Sequence, residues 1–227
     1  MLENRVDIRG HLDAEHLKSF AGRVLLPVVL LLGVMIGLGQ AATHLPAGED
    51  GINRWFAAHR GDPFNGLSWF FSFVGSTPCI IGVTAIAAFI LLRKLHSWAE
   101  PLFLCSAVTA QAIVFFFTTL VIDRQRPDVP HMDDSPPTSS FPSGHTSAAF
   151  ALYVGLALVL SRLVHQTWAK WLCWLLALMP VGVAVARLYR GMHHPTDVTA
   201  SFFNGTVCIV IMALFFRPGR SRRADVD

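Results

Sequence analysis

Residues 98–121 read WAEPLFLCSAVTAQAIVFFFTTLV, with Glu100 near the start as the one charge in the stretch. A helix needs about 20 mostly apolar residues to cross the hydrocarbon of a bilayer, and this run satisfies that length. Five others resemble it, at roughly 24–43, 66–92, 144–161, 169–186 and 197–216. The second is interrupted at Gly75-Ser76-Thr77-Pro78, a sequence that either kinks a helix or divides it into an interfacial piece and a spanning piece. The expectation is an all-α membrane protein, a bundle of six transmembrane helices.

Composition agrees. Of the 227 residues 53% are hydrophobic and 15% charged, whereas charged residues make up about 25% of an ordinary soluble domain. The net charge of +3 is not gathered into the basic stripe that nucleic-acid binding requires, so no nucleic-acid partner is expected. Cys79, Cys105, Cys173 and Cys208 each lie in an apolar run without metal-ligand spacing and read as packing residues. The first run is longer than a signal-peptide core and is followed by more spans, so it reads as an uncleaved helix. Residues 1–23 form a cytoplasmic or interfacial segment, in which Leu12, Leu17 and Phe20 suit a short helix on the membrane surface. Residues 24–216 form the membrane domain and 217–227 a basic tail.

Lys and Arg set the orientation. With six spans both termini share a side, and that side carries twelve of the eighteen, among them Arg5, Arg93, Lys94, Arg162 and Arg223. The termini are therefore expected in the cytoplasm, with Arg54, Arg60, Arg124, Arg126, Arg187 and Arg190 outside. Trp98, Trp168 and Trp171 fall at cytoplasmic span ends, where indole rings favour the headgroup region.

The outward loops carry the chemistry. Asp123-Arg124-Gln125-Arg126-Pro127 follows the third span, Phe141-Pro142-Ser143-Gly144-His145-Thr146 opens the fourth, and Arg187 to Asp197 joins the fifth to the sixth. A glycine at a helix start lets backbone N–H groups approach an anion, and the helix dipole favours negative charge there. The Ser143 hydroxyl adds a donor, and Arg126 and Arg187 supply planar, permanent cations suited to phosphate oxygens. His193 and Asp197 are four apart across Pro195, so the carboxylate can accept the imidazole N–H and fix its tautomer. The other ring nitrogen is then free to attack phosphorus, and His145 from the opposite loop serves as acid and then base. Asp128, His131, Asp133 and Asp134 show no metal-ligand spacing and read as solvated loop, and Glu49 and Asp50 as interfacial charge.

These three clusters resemble the signature motifs of the type 2 phosphatidic acid phosphatase superfamily, over about residues 50–216. The resemblance implies a phosphohistidine on His193, selected over His194 by its spacing to Arg187 and Asp197, with Asp197 orienting it and His145 as acid and base. It implies Arg126, Ser143, Gly144 and Arg187 as phosphate ligands, and no metal or other cofactor. The chain departs from the family pattern at Thr119, where a lysine is usual, and at Ala186, where serine is usual. Arg124 is the expected source of the missing charge.

The expected function is hydrolysis of a lipid phosphate at the outer face of the cell membrane. Polyprenyl diphosphates come first as candidates, then phosphatidic acid and phosphatidylglycerol phosphate. A lipid phosphotransferase using the same histidine and a non-catalytic membrane protein with a degenerate site are the alternatives; vanadate-dependent oxidases are disfavoured, because those relatives are soluble and keep the lysine. Oligomeric state is not legible in the sequence.

Overall fold

The computed structural model describes residues 17–44, 49–134 and 138–218. Most of the N-terminal segment and all but the first two residues of the basic tail lie outside this range, as do Arg5 and Leu12. Among the described residues the chain is helical. The helices are α1 (Leu17–Thr43), α2 (Asp50–Ala58), α3 (Phe64–Val74), α4 (Thr77–Leu95), α5 (Ala99–Val121), α6 (Gly144–Leu163), α7 (Thr167–Tyr189) and α8 (Pro195–Phe216). Six of them, all but α2 and α3, are long and apolar enough to cross a membrane.

The interruption at Gly75-Ser76 divides the second apolar run. Ser76 is extended, with ψ 151°, and Pro78 occupies the first turn of the helix that follows, a position where proline's missing N–H costs nothing. The span is thus α4, and the aromatic-rich piece before it becomes the separate helix α3. Elsewhere the helices outrun the hydropathy signal. α1 begins at Leu17 rather than 24, and α7 continues to Tyr189, carrying Arg187 in its last turn.

Burial sorts the spans. Half of the α6 and α8 span windows is buried, against a third or less for the others, so α6 and α8 form the centre and the rest surround them. α8 packs along α5, α7 against α3, and α4 against α5. The outer surface is the reverse of a soluble protein's: Ile81, Phe89, Leu120, Leu178 and Leu214 are all more than 60% exposed, the belt expected of side chains facing lipid. Exposed indoles of Trp98, Trp168 and Trp171 gather at the end of the bundle holding the α4–α5 and α6–α7 connections. The four cysteines are unpaired.

Candidate active site

The site lies at the opposite end, where the α5–α6 loop, the start of α6 and the α7–α8 turn meet. The loop is closed at its base: the Ser140 N–H donates to the Arg124 carbonyl at 2.9 Å, and the Ser140 hydroxyl to the Gln125 carbonyl at 3.0 Å. α6 then starts at a Ser143 cap. The Ser143 oxygen accepts from the Thr146 N–H and hydroxyl, while the Ser143 N–H donates to the Ser201 hydroxyl on α8 at 2.8 Å. The Ser143 N–H and acceptor oxygen are thereby engaged, while its O–H and the amides of Gly144 and His145 have no acceptor among the described residues. An open helix start of this kind is an anion site.

After α7 the chain turns at Gly191, whose φ of +74° belongs to the left-handed region that glycine enters without penalty. A Cβ there would lie 2.7 Å from Val129 and 3.1 Å from the Pro130 carbonyl. His193 follows, and His194 caps α8 by accepting and donating with Asp197: its N–H reaches Asp197 Oδ2 at 2.8 Å. The two histidines are thereby separated. His194 places its ring nitrogens 3.3 Å from Asp197 and 3.2 Å from Asp50, whereas His193 faces a cavity.

His193 Nδ1 lies 2.7 Å from the Ser140 carbonyl oxygen. A carbonyl only accepts, so Nδ1 carries the proton and Nε2 keeps its lone pair. Asp197 Oδ2 is 3.8 Å from Nδ1, beyond hydrogen-bond distance. The fixer of the tautomer is thus a backbone carbonyl, and Asp197 acts on the ring through its charge. Burial pushes the His193 pKa below its ordinary value, with Asp197 opposing and Arg187 and Arg126 acting in the same direction as burial.

Arg124, expected to stand in for the lysine missing at 119, is placed differently. Its guanidinium is ion-paired with Asp197, donates to Thr196 Oγ1 at 2.7 Å and lies 3.4 Å from Glu49. It does not line the cavity that His193 faces. Thr119 bonds back to its own helix through the Phe116 carbonyl. The cations at the cavity are Arg126, anchored on the Met192 carbonyl at 2.7 Å, and Arg187. The Nε of each is buried without an acceptor among the described residues.

Several contributors escaped the sequence reading. Asp133 is not solvated loop: it takes Arg187 and Arg190 on its two oxygens, each at 2.6 Å, and a bond from Ser72. Burial would raise its carboxyl, but the Arg190 hydrogen bond and the two cations hold it below the usual carboxylate range. Asn53 of α2 is fully buried and its amide nitrogen donates to the carbonyls of Leu188 and His193. Glu49 and Asp50, beside it, engage Arg124 and His194. A polar face at Glu49, Asp50 and Asn53, set against Ile52, Trp55 and Phe56 of the same short helix, was the available signal.

A cavity of about 790 Å³ joins these parts. Arg126, Gly144, His145, Arg187 and His193 line it alongside Ile80, Ile81, Val108, Phe115 and Phe116 from α4 and α5.

Residues 100–220 match the description of the PAP2 superfamily. Among solved structures, the first transmembrane PAP2 type phosphatidylglycerolphosphate phosphatase from Bacillus subtilis superposes with a TM-score of 0.73 at 22% identity, covering 84% of this chain and 96% of that one. LpxE of Aquifex aeolicus gives 0.59 at 21% identity, over 72% and 93%. No curated protein sequence matches the chain.

Proposed function

Since the chain belongs to the PAP2 superfamily, we propose that it is an integral membrane phosphatase removing phosphate from a lipid through a histidine nucleophile. The observation that carries this reading is the two-natured cavity. Two arginines with unspent N–H groups, an open helix start and two histidines line one part of it, and side chains of two membrane spans line the rest. A phosphate fits the first part and a hydrocarbon tail the second.

In this reading the phosphate takes the Nη2 groups of Arg126 and Arg187, which have no acceptor among the described residues, and the amides at Gly144 and His145. His193 Nε2 attacks phosphorus, the bond to the lipid oxygen breaks, and His145 gives that oxygen a proton. His145, now unprotonated, accepts a proton from water as the water attacks the phosphohistidine, releasing inorganic phosphate and restoring both rings. Asp197 stabilises the positive charge that develops on the His193 ring at the attack, and the Ser140 carbonyl keeps Nδ1–H in place. No cofactor has a part in this sequence.

The distribution of Lys and Arg supports an outward-facing site with cytoplasmic termini, and the mutual packing of the spans supports residues 24–216 as one catalytic domain. The name of the Bacillus subtilis neighbour supports a phosphorylated glycerolipid as substrate; a polyprenyl diphosphate is the other candidate. Purified protein in detergent should release phosphate from at least one of phosphatidic acid, phosphatidylglycerol phosphate and undecaprenyl diphosphate. Activity on none of them removes the proposal.

The depressed His193 pKa sets a pH expectation. Attack needs the neutral ring, so activity is present above the His193 pKa and lost as pH falls through it. An exposed histidine would impose that loss near pH 6.5. The acid limb of kcat/KM, corrected for ionisation of the substrate's own phosphate, is expected below that value, and a limb at or above it contradicts a buried nucleophile.

A further inference from the structure

The phosphatase reading leaves open what the enzyme recognises beyond the phosphate. Gln111 bears on this. It is 3% exposed, lies on α5 and lines the cavity. Its Oε1 accepts from the Ser147 hydroxyl at 2.8 Å, and its backbone carbonyl accepts from Asn204 at 3.2 Å. Its amide nitrogen has no acceptor among the described residues and is not fully buried.

Two neighbours fix its level. The Phe115 ring lies against Gly144, so close that a Cβ there would come within 2.8 Å of it, and Phe115 therefore marks the level of the phosphate site. Gln111 is four residues earlier on the same helix, about 6 Å deeper. Ser147, its partner, is likewise one turn into α6. The cavity wall at this depth is mostly apolar, with Val108, Ala112 and Ala148 near Gln111 and Thr109 as the other polar side chain on this stretch of α5, and the charged lining residues Arg126, Asp133, Asp134 and Arg187 all belong to the site end.

Resting on that reading, we infer that Gln111 is a specificity-determining residue that donates to a neutral lipid oxygen one helical turn beneath the reacting phosphate. The oxygen it fits is the ester carbonyl of a phosphorylated diacylglycerol. An isoprenyl chain offers no acceptor at this depth, and the inner phosphate of a diphosphate would meet no cation there. A donor facing an apolar wall without a partner is unfavourable, so a substrate that satisfies it is favoured over one that does not. This turns the preference among candidates away from prenyl diphosphates and toward glycerolipids.

The test compares diacylglycerol 3-phosphate with its dialkyl ether analogue of equal chain length and with an isoprenyl diphosphate. Wild type is expected to favour the diacyl lipid over the ether by about tenfold in kcat/KM, the size of one neutral hydrogen bond. Q111L, which removes the donor and retains bulk, should lose that tenfold on the diacyl lipid and stay within about twofold on the ether. Should Q111L fail to fold, Q111M, with an unbranched chain of similar length, carries the same comparison. Equal losses on both lipids overturn the inference, because Gln111 would then serve only to support Ser147. A wild type that does not discriminate, or that prefers the isoprenyl diphosphate with no response to Q111L, also overturns it while leaving the phosphatase reading intact. Release of phosphate from none of the three removes both.

Discussion

Replacement of His193 by alanine is expected to lower phosphate release by about 10⁴-fold or more, the scale of losing a covalent nucleophile. Little stability should go with it. The ring gives up one hydrogen bond, to Ser140, worth about 1 kcal/mol, so the melting temperature should stay close to that of wild type. Trapping adds a second readout. Denaturing quench of wild type turning over a radiolabelled phosphate should leave acid-labile label on the protein, and His193→Ala should leave none. His145→Ala, supplied with a nitrophenyl phosphate whose leaving group needs no proton, should accumulate label, since only the second step then lacks its base. Loss of less than tenfold in His193→Ala, or label surviving in it, takes the nucleophile away from His193.

The second large effect concerns Arg124. Asp197 is fully buried, and its ion-pair partner Arg124 is 8% exposed. Removing one member of a buried pair leaves the other uncompensated, at about 3–5 kcal/mol. Arg124→Ala should therefore depress thermal and denaturant stability by that order and lower kcat, since the charge beneath His193 is no longer held in position. KM for the lipid should change much less, because Arg124 does not line the cavity. Pairing Arg124→Leu with Asp197→Asn should recover part of the stability without recovering activity. A variant that keeps its stability but raises KM would restore Arg124 to the phosphate shell, the place that the absent lysine at 119 suggested.

The contrast between those two residues marks where the sequence was legible. Hydropathy located all six spans, because lipid-facing side chains are apolar whatever their tertiary neighbours. It misjudged their ends where a charge sits within a helix's last turn, as Arg187 does in α7, or where two helices share one apolar run, as α3 and α4 do. The motif residues were legible because their types and spacing are set by local backbone: a glycine opening a helix, a histidine and a carboxylate one turn apart. Asp133, Asn53 and Glu49 were not. Each is a single polar residue whose partner lies far away in the chain, 54 to 147 residues off, and no local pattern encodes a contact of that range. Arg124 is the same case in reverse: its type suited a phosphate, while its position against Asp197 and Glu49 depends on the folded path of two other segments.

Asn53 also says something about when the enzyme can begin to work. Its amide reaches the His193 carbonyl across 140 residues, from a helix outside the matched stretch 100–220. A fragment reduced to that stretch keeps every recognisable motif and loses the strut beneath the nucleophile. During synthesis the order is reversed: α2 emerges early and waits for a turn that leaves the ribosome only after five spans have been laid into the bilayer. On the proposed function, a chain truncated before the α7–α8 turn lacks the partner of Asn53 and is expected to release no phosphate.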